Sequence, residues 1–309
     1  MKKILFLLLI ISAVLQTSCG KTLNASADEG EIRTYLIAGM DDAAGNTDVL
    51  MLASYNTAKN SATVAHIPRD TMVRYNGEYV KINAIFPRER LAGATSNEAM
   101  SALADYLSRA MGVRIDGYFA TDIDTFSDMV DMLGGVDLEL DHELVIYDEH
   151  GETLFTLEAG ANHFDGYSAA QFVRYRKGYA TGDLGRIDAQ KLFISALIKT
   201  IKERVGLEEA ARLLFAFGTD VKTDEGLLDV FGFLLKNRKN LDSIDVGFVT
   251  VPGEATVIEN KSFYIIKRKS AAEMLKRDFY ITDGGFDPER IFTRDDNLTV
   301  KNIYYDEGA

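Results

Sequence analysis

From Thr34 onward, short strand-like runs alternate with stretches of helical spacing, and few architectures bury both kinds of face at once. Strand texture falls at residues 35–39, 49–55, 62–67, 117–121, 136–140 and 246–251. The second and third are joined by the turn 56–60, a connection short enough to make them an antiparallel pair. Helical spacing puts Met100, Leu103, Leu107 and Met111 on one face of residues 97–111, with Ser96 as the cap. Residues 124–133 turn Phe126, Met129, Val130 and Leu133 inward and stop at Gly134-Gly135. Residues 184–205 carry Leu184, Ile187, Ile194, Leu197, Ile198 and Ile201 on a buried stripe. This order predicts an α/β fold with helices on both faces of a mixed sheet. Past Tyr280 the chain turns polar and acidic, and residues 281–309 read as a loosely held tail.

Charge narrows the function. Asp and Glu number 47 against 34 Lys and Arg, a net charge of -13, which repels polyanions and argues against a nucleic-acid partner. Any anion site must be a local cluster of Arg or Lys. Cys19 is the single cysteine, so an intrachain disulfide and a Cys-rich metal site are excluded. His66, His142, His150 and His163 form no His-x-x-x-His pair of the kind zinc hydrolases use. Oxygen-ligand chemistry stays open.

At the amino terminus, Lys2 and Lys3 precede the apolar run 4–15, the layout of an export signal. A helix needs about 20 apolar residues to span a bilayer core, so residues 1–18 read as a signal peptide or a membrane anchor, with residues 19–33 a polar linker. Cys19 after Thr17-Ser18 resembles a lipoprotein cleavage site, although Gln16 stands where that pattern has an aliphatic residue. Acylation at Cys19, an uncleaved anchor and free secretion all put the remainder outside the cytoplasm, since Lys2 and Lys3 stay inside. A core helix over 4–15 is the remaining reading.

Three segments carry candidate chemistry. The first runs from Gly39 to Asp48. It fails as a P-loop, because five residues separate its glycines and Asn46 stands where Lys belongs. It does bring Asp41 and Asp48 to adjoining strand ends, where they share a magnesium ion or form a solvated acidic turn. The second is Ile67-Pro68-Arg69-Asp70-Thr71, in which Pro68 stops a strand and aims Arg69 outward. The third joins Phe172-Val173-Arg174-Tyr175-Arg176 to a helix start carrying Asp183, Arg186 and Gln190 at i, i+3 and i+7. If the first stretch is extended, Arg174 and Arg176 point the same way. Guanidinium forks beside a helix amino terminus suit a diphosphate. Ion pairs with Asp183 and Asp188 are the alternative.

Taken in order, Gly39-x-Asp41, Thr47-Asp48, Ile67 to Thr71, Lys81-Ile82-Asn83-Ala84, Asp128 to Val136, Val173 to Arg176, Asp183-x-Gly185-Arg186 and Gln190 resemble the LytR-CpsA-Psr family of bacterial cell-wall enzymes. The resemblance covers residues 34–280 and implies a three-layer α-β-α sandwich with a central mixed β-sheet. It implies transfer of a glycopolymer phosphate from a polyprenyl diphosphate carrier to peptidoglycan at the outer face of the membrane, with Mg2+ as cofactor. Asp41 and Asp48 resemble the metal ligands. Arg69, Arg174, Arg176 and Arg186 resemble a diphosphate clamp, with Asp183 and Gln190 beside it and Lys81 and Asn83 in support. Arg69 and Asp70 are the catalytic candidates. The family implies an apolar lipid groove, for which Leu103, Leu107, Met111, Phe126, Met129, Val130 and Phe193 are candidates, although a packed core predicts the same residues. Two features depart from the family: a short 41–48 loop with Asn46 in place of a common arginine, and the lipoprotein-like Cys19. The rival readings are an envelope protein that binds polyprenyl-phosphate lipids without turnover and a polyprenyl diphosphate hydrolase.

Overall fold

The computed structural model describes residues 32–40, 45–177, 179, 183–206, 220–226, 243–281 and 285–296, with isolated positions at 208, 212, 213, 216 and 240. The amino-terminal apolar run, Cys19 and Asp41 lie outside the described residues. In chain order the elements are β1 (Ile32–Met40), β2 (Thr47–Asn56), β3 (Ser61–His66), β4 (Met72–Tyr75), β5 (Glu78–Lys81), a 3-10 turn (Ile82–Ala84), α1 (Ile85–Leu91) and α2 (Ser96–Met111). Next come β6 (Gly117–Asp122), α3 (Ile123–Met132), β7 (Val136–Leu140), β8 (Leu144–Tyr147), β9 (Thr153–Leu157), β10 (Gly160–Phe164), α4 (Gly166–Arg174) and α5 (Asp183–Arg204). The last are β11 (Lys222–Thr223), β12 (Asp245–Thr250), β13 (Gly253–Ile258), β14 (Lys261–Lys267), α6 (Arg268–Phe279) and β15 (Thr293–Arg294). Six strands form the central sheet in the order β11-β6-β1-β2-β3-β12. Its β1–β2 and β2–β3 pairs are antiparallel while β12 runs parallel to β3, so the sheet is mixed and the fold is of the expected α/β class.

The described residues are grouped in two units, one holding those within 32–118 and 245–296, the other those within 119–244. In the first unit, Tyr35, Leu36, Ile37 and Ala38 of β1 and Leu50 and Leu52 of β2 have no exposed surface. Consecutive buried residues mean that these strands are covered on both faces. The 56–60 turn closes with Lys59 N donating to Asn56 Oδ1 at 3.0 Å and Tyr55 Oη to Asn60 Oδ1 at 2.7 Å. The α2 cap is Thr95 rather than Ser96. Thr95 Oγ1 accepts from Glu98 N while Thr95 N donates to Glu98 Oε2 at 2.7 Å, and this reciprocal pair requires the residue three before the glutamate. Nor is the polar stretch after Tyr280 loose over 285–296. There β15 pairs with β14, Phe292 N donates to Met72 O at 3.1 Å, and Ile291 is fully buried.

In the second unit, Asp122 caps α3 by accepting from Thr125 N at 2.7 Å. At the other end of α3, Arg204 Nη1 donates to the carbonyl oxygens of Leu133, Gly134 and Gly135 while Nη2 meets Asp137 at 2.7 Å. A helix's last carbonyls lack intrahelical donors, and Arg204 supplies one from the end of α5. Helix α4 starts against α3: Gly166 N donates to Asp131 Oδ1 at 2.6 Å, and a Cβ on Gly166 would lie 2.1 Å from Ser127 O, so only glycine allows this approach. Phe164, Phe172 and Phe193 stack tilted or edge-on between α4, α5 and β10.

Candidate active site

Asp48 owes its direction to a β-bulge. Gly39 faces Val49 and Met40 faces Thr47, so Asp48 is the extra residue that has no cross-strand partner. Such a residue is turned out of the ladder, and Asp48 Oδ1 meets Arg69 Nη1 at 2.5 Å. Arg69 follows Pro68, which lies two residues beyond the end of β3. On its other side, Asp70 Oδ1 lies 3.9 Å from Arg69 Nε and 2.9 Å from Lys81 Nζ. Two carboxylates and two cations thus alternate in the order Asp48, Arg69, Asp70, Lys81.

The hairpin β4–β5 explains how Lys81 returns to Asp70. Asn76 and Gly77 both have positive φ, 51° and 85°, the turn geometry that matches strand twist in a two-residue hairpin. It sets Met72 opposite Lys81. Backbone bonds then fasten the next residues: Ile82 N donates to Thr71 O at 2.9 Å and Asn83 N to Arg69 O at 3.3 Å. From the opposite side Tyr264 N donates to Asp70 O at 2.8 Å. Asn83 is itself buried. Lys81 places a charge beside Asp70, and Asn83 ties the backbone to Arg69.

The three remaining arginines belong to the second unit and differ from one another. Residues 172–174 are not extended; they are the last turn of α4, which Asp165 starts by accepting from Ser168 N at 2.8 Å. Arg174 is exposed on that turn, and the chain becomes extended only at Tyr175, with φ -66° and ψ 136°. Arg176 is half-buried, whereas Arg186 on α5 is 2% exposed. Gln190, one turn on, is also buried, and its Nε2 donates to Val173 O at 2.8 Å. That bond holds α5 to the residue before Arg174. Asp183 opens α5, but its side chain lies outside the described residues. Asp188 sits on the exposed face and pairs with Lys191 at 3.1 Å.

The stretch 175–177 is fastened to the β8–β9 hairpin. Lys177 Nζ donates to Asp148 O at 3.0 Å, and the Tyr175 phenol lies beside the Tyr147 backbone N–H. The sequence alone gives neither residue a role of its own. The groove candidates fare differently. Leu103, Leu107, Met111, Met129, Val130 and Phe193 have no exposed surface, so they are core here. Phe126 alone keeps part of its surface, with its ring edge-on to Phe193.

A model of the LytR_cpsA_psr family matches residues 15–279. The chain belongs to this family. A relative from Halalkalibacterium halodurans named polyisoprenyl-teichoic acid--peptidoglycan teichoic acid transferase TagU is 28% identical over 78% of this chain and 76% of its own. Among solved structures, protein gbs0355 from Streptococcus agalactiae superposes with a TM-score of 0.70 at 18% identity, covering 89% of this chain and 94% of that one. TagV of B. subtilis gives 0.65 at 20% identity over 82% and 99%. The LytR_cpsA_psr fold is therefore shared far beyond the level at which sequence identity is informative.

Proposed function

We propose that the chain is an extracytoplasmic phosphotransferase that moves a glycopolymer phosphate from a polyprenyl diphosphate carrier onto peptidoglycan. The observation that carries this reading is the arginine set at the α4–α5 junction, built into a chain of net charge -13 and anchored there by Gln190. A transferred phosphoryl group needs positioning and charge compensation more than covalent help. Arg174, Arg176 and Arg186 hold the diphosphate oxygens. In the other unit Arg69 and Lys81 carry positive charge, and Asp70, lying between them, orients both.

Asp48 offers a hard oxygen donor of the type magnesium takes, one or two carboxylates with water and phosphate completing the shell. Among the described residues no three His, Cys, Asp or Glu side chains gather into a metal cage; Asp48 is one proposed ligand, and the second, Asp41, lies outside the described residues. Asp41 and Asp48 would hold such an ion, and it would supply positive charge to phosphate oxygens. The acceptor hydroxyl then forms an ester bond to the sugar-side phosphorus, the bridging P–O bond breaks, and polyprenyl monophosphate leaves with that electron pair as the hydroxyl proton is released. The relative named as a teichoic acid transferase supports this reaction class. The amino-terminal segment, by acylation or as an anchor, keeps the domain at the outer membrane face.

The full chain with a lipid-linked glycopolymer and peptidoglycan should release polyprenyl monophosphate and yield polymer joined through phosphate. Release without transfer would make the protein a hydrolase, and binding without release would make it a lipid-binding protein.

A further inference from the structure

We infer that Tyr175 and Tyr179 are additional ligand-binding residues, whose phenols donate hydrogen bonds to phosphate oxygens of the diphosphate held by Arg174, Arg176 and Arg186. The inference rests on the diphosphate reading and extends it to two neutral donors.

Tyr175 is 7% exposed, and its phenol is buried without an acceptor for its proton. The neighbouring Tyr147 N–H can only donate to it. Tyr179 repeats the situation, with a buried phenol that likewise has no hydrogen-bond partner. A buried hydroxyl that satisfies no acceptor is costly, and phenylalanine would fill the same space without that cost. Two such groups occur four residues apart around Arg176. The turn between them is closed by Tyr179 N donating to Arg176 O at 3.2 Å, and the rings lie edge-on with centroids 6.3 Å apart.

Chemistry selects the acceptor. Burial pushes the Tyr175 phenol up and that of Tyr179 to about 12, so both stay protonated and can donate throughout the neutral range. A ligand beside guanidinium groups that also accepts from neutral hydroxyls is an oxyanion. Phosphate oxygens have enough lone pairs to accept from both kinds of donor at once.

The experiment uses the full chain and the variants Tyr175→Phe, Tyr179→Phe and the double change. Melting temperature is measured without ligand, and affinity is measured for inorganic diphosphate and for farnesyl diphosphate. Each single change should weaken binding of both probes about tenfold, the worth of a hydrogen bond to a charged group, and the double change more. The ligand-free melting temperature should stay the same or rise, because no internal bond is lost. A lower melting temperature with unchanged affinity would mean that the phenols have structural partners, and would overturn the inference. Unchanged affinity with an unchanged melting temperature would overturn it too, leaving buried water as the partner. If the parent binds neither probe, the diphosphate reading itself fails and takes the inference with it.

Discussion

Asp48 Oδ1 lies 2.5 Å from Arg69 Nη1, and Asp48 is the residue that the β1–β2 bulge leaves without a cross-strand partner. One extra residue in a strand therefore sets the direction of a carboxylate, and the carboxylate fixes an arginine. Both side chains keep some exposure, 28% for Asp48 and 16% for Arg69, so the pair is open to exchange of partners.

Asp48→Asn should abolish magnesium-dependent release of polyprenyl monophosphate while changing stability by only about 0 to 1 kcal/mol. Magnesium affinity of the parent should be weak alone and rise when diphosphate is added. Calorimetric titration with and without diphosphate checks the second point. Unchanged magnesium-dependent turnover in both Asp41→Asn and Asp48→Asn would remove the metal assignment.

The arginines should separate by burial. Arg174→Lys and Arg176→Lys keep the charge but lose the planar fork, and diphosphate binding should fall about tenfold or more, equivalent to roughly 1.5 to 3 kcal/mol. The melting temperature of Arg174→Lys should hold. Arg186→Lys should weaken binding and also lower stability by about 1 to 3 kcal/mol, because a fork 2% exposed cannot be altered without leaving buried polar groups unsatisfied. Parallel melts and binding isotherms of the three variants decide it; three lysine variants that bind like the parent would refute the clamp.

Asp165 should give α4 an acid-sensitive start. Hydrogen bonds from the Ser168 hydroxyl and backbone N–H hold its carboxyl below the ordinary 3.8. A depressed folded-state pKa contributes stability that is present above the ordinary value and is lost as pH falls through the folded one. Asp165→Asn keeps a capping oxygen without a titration, so its stability relative to the parent should improve below about pH 4. Asp165→Ala should cost about 1 kcal/mol at neutral pH. Denaturant melts at neutral and acid pH test both; a parent-to-Asn difference that does not change with pH would refute the titration.

For the amino terminus, Cys19→Ala should prevent acylation and release the protein from the membrane fraction. Intact mass and fractionation measure this directly. A mature chain that begins elsewhere and carries no lipid would remove the acylation proposal, while membrane retention in the variant would favour an uncleaved anchor.

Local signals in the sequence determined the hairpin of β2 and β3, the spans of α2, α3 and α5, and the parallel late strand's identity as a strand. Spacing of apolar residues and a five-residue turn act over one element, so they are legible without tertiary knowledge. The order of short motifs also carried Arg69, Arg174, Arg176, Arg186 and Gln190 as site candidates. Tertiary structure decided the remainder. Only the pairing of β1 with β2 makes Asp48 a bulge residue, and only the hairpin and the bonds to residues 69–71 give Lys81 and Asn83 their work. Arg186 looks as solvated as Arg174 in a list of residues, yet one is buried and the other exposed. Residues 285–296 read as an acidic tail until Ile291 and β15 meet partners far back in the chain. Burial and cross-strand pairing depend on groups distant in sequence, and those are the quantities that fix where a charge points and what it costs to hold it there.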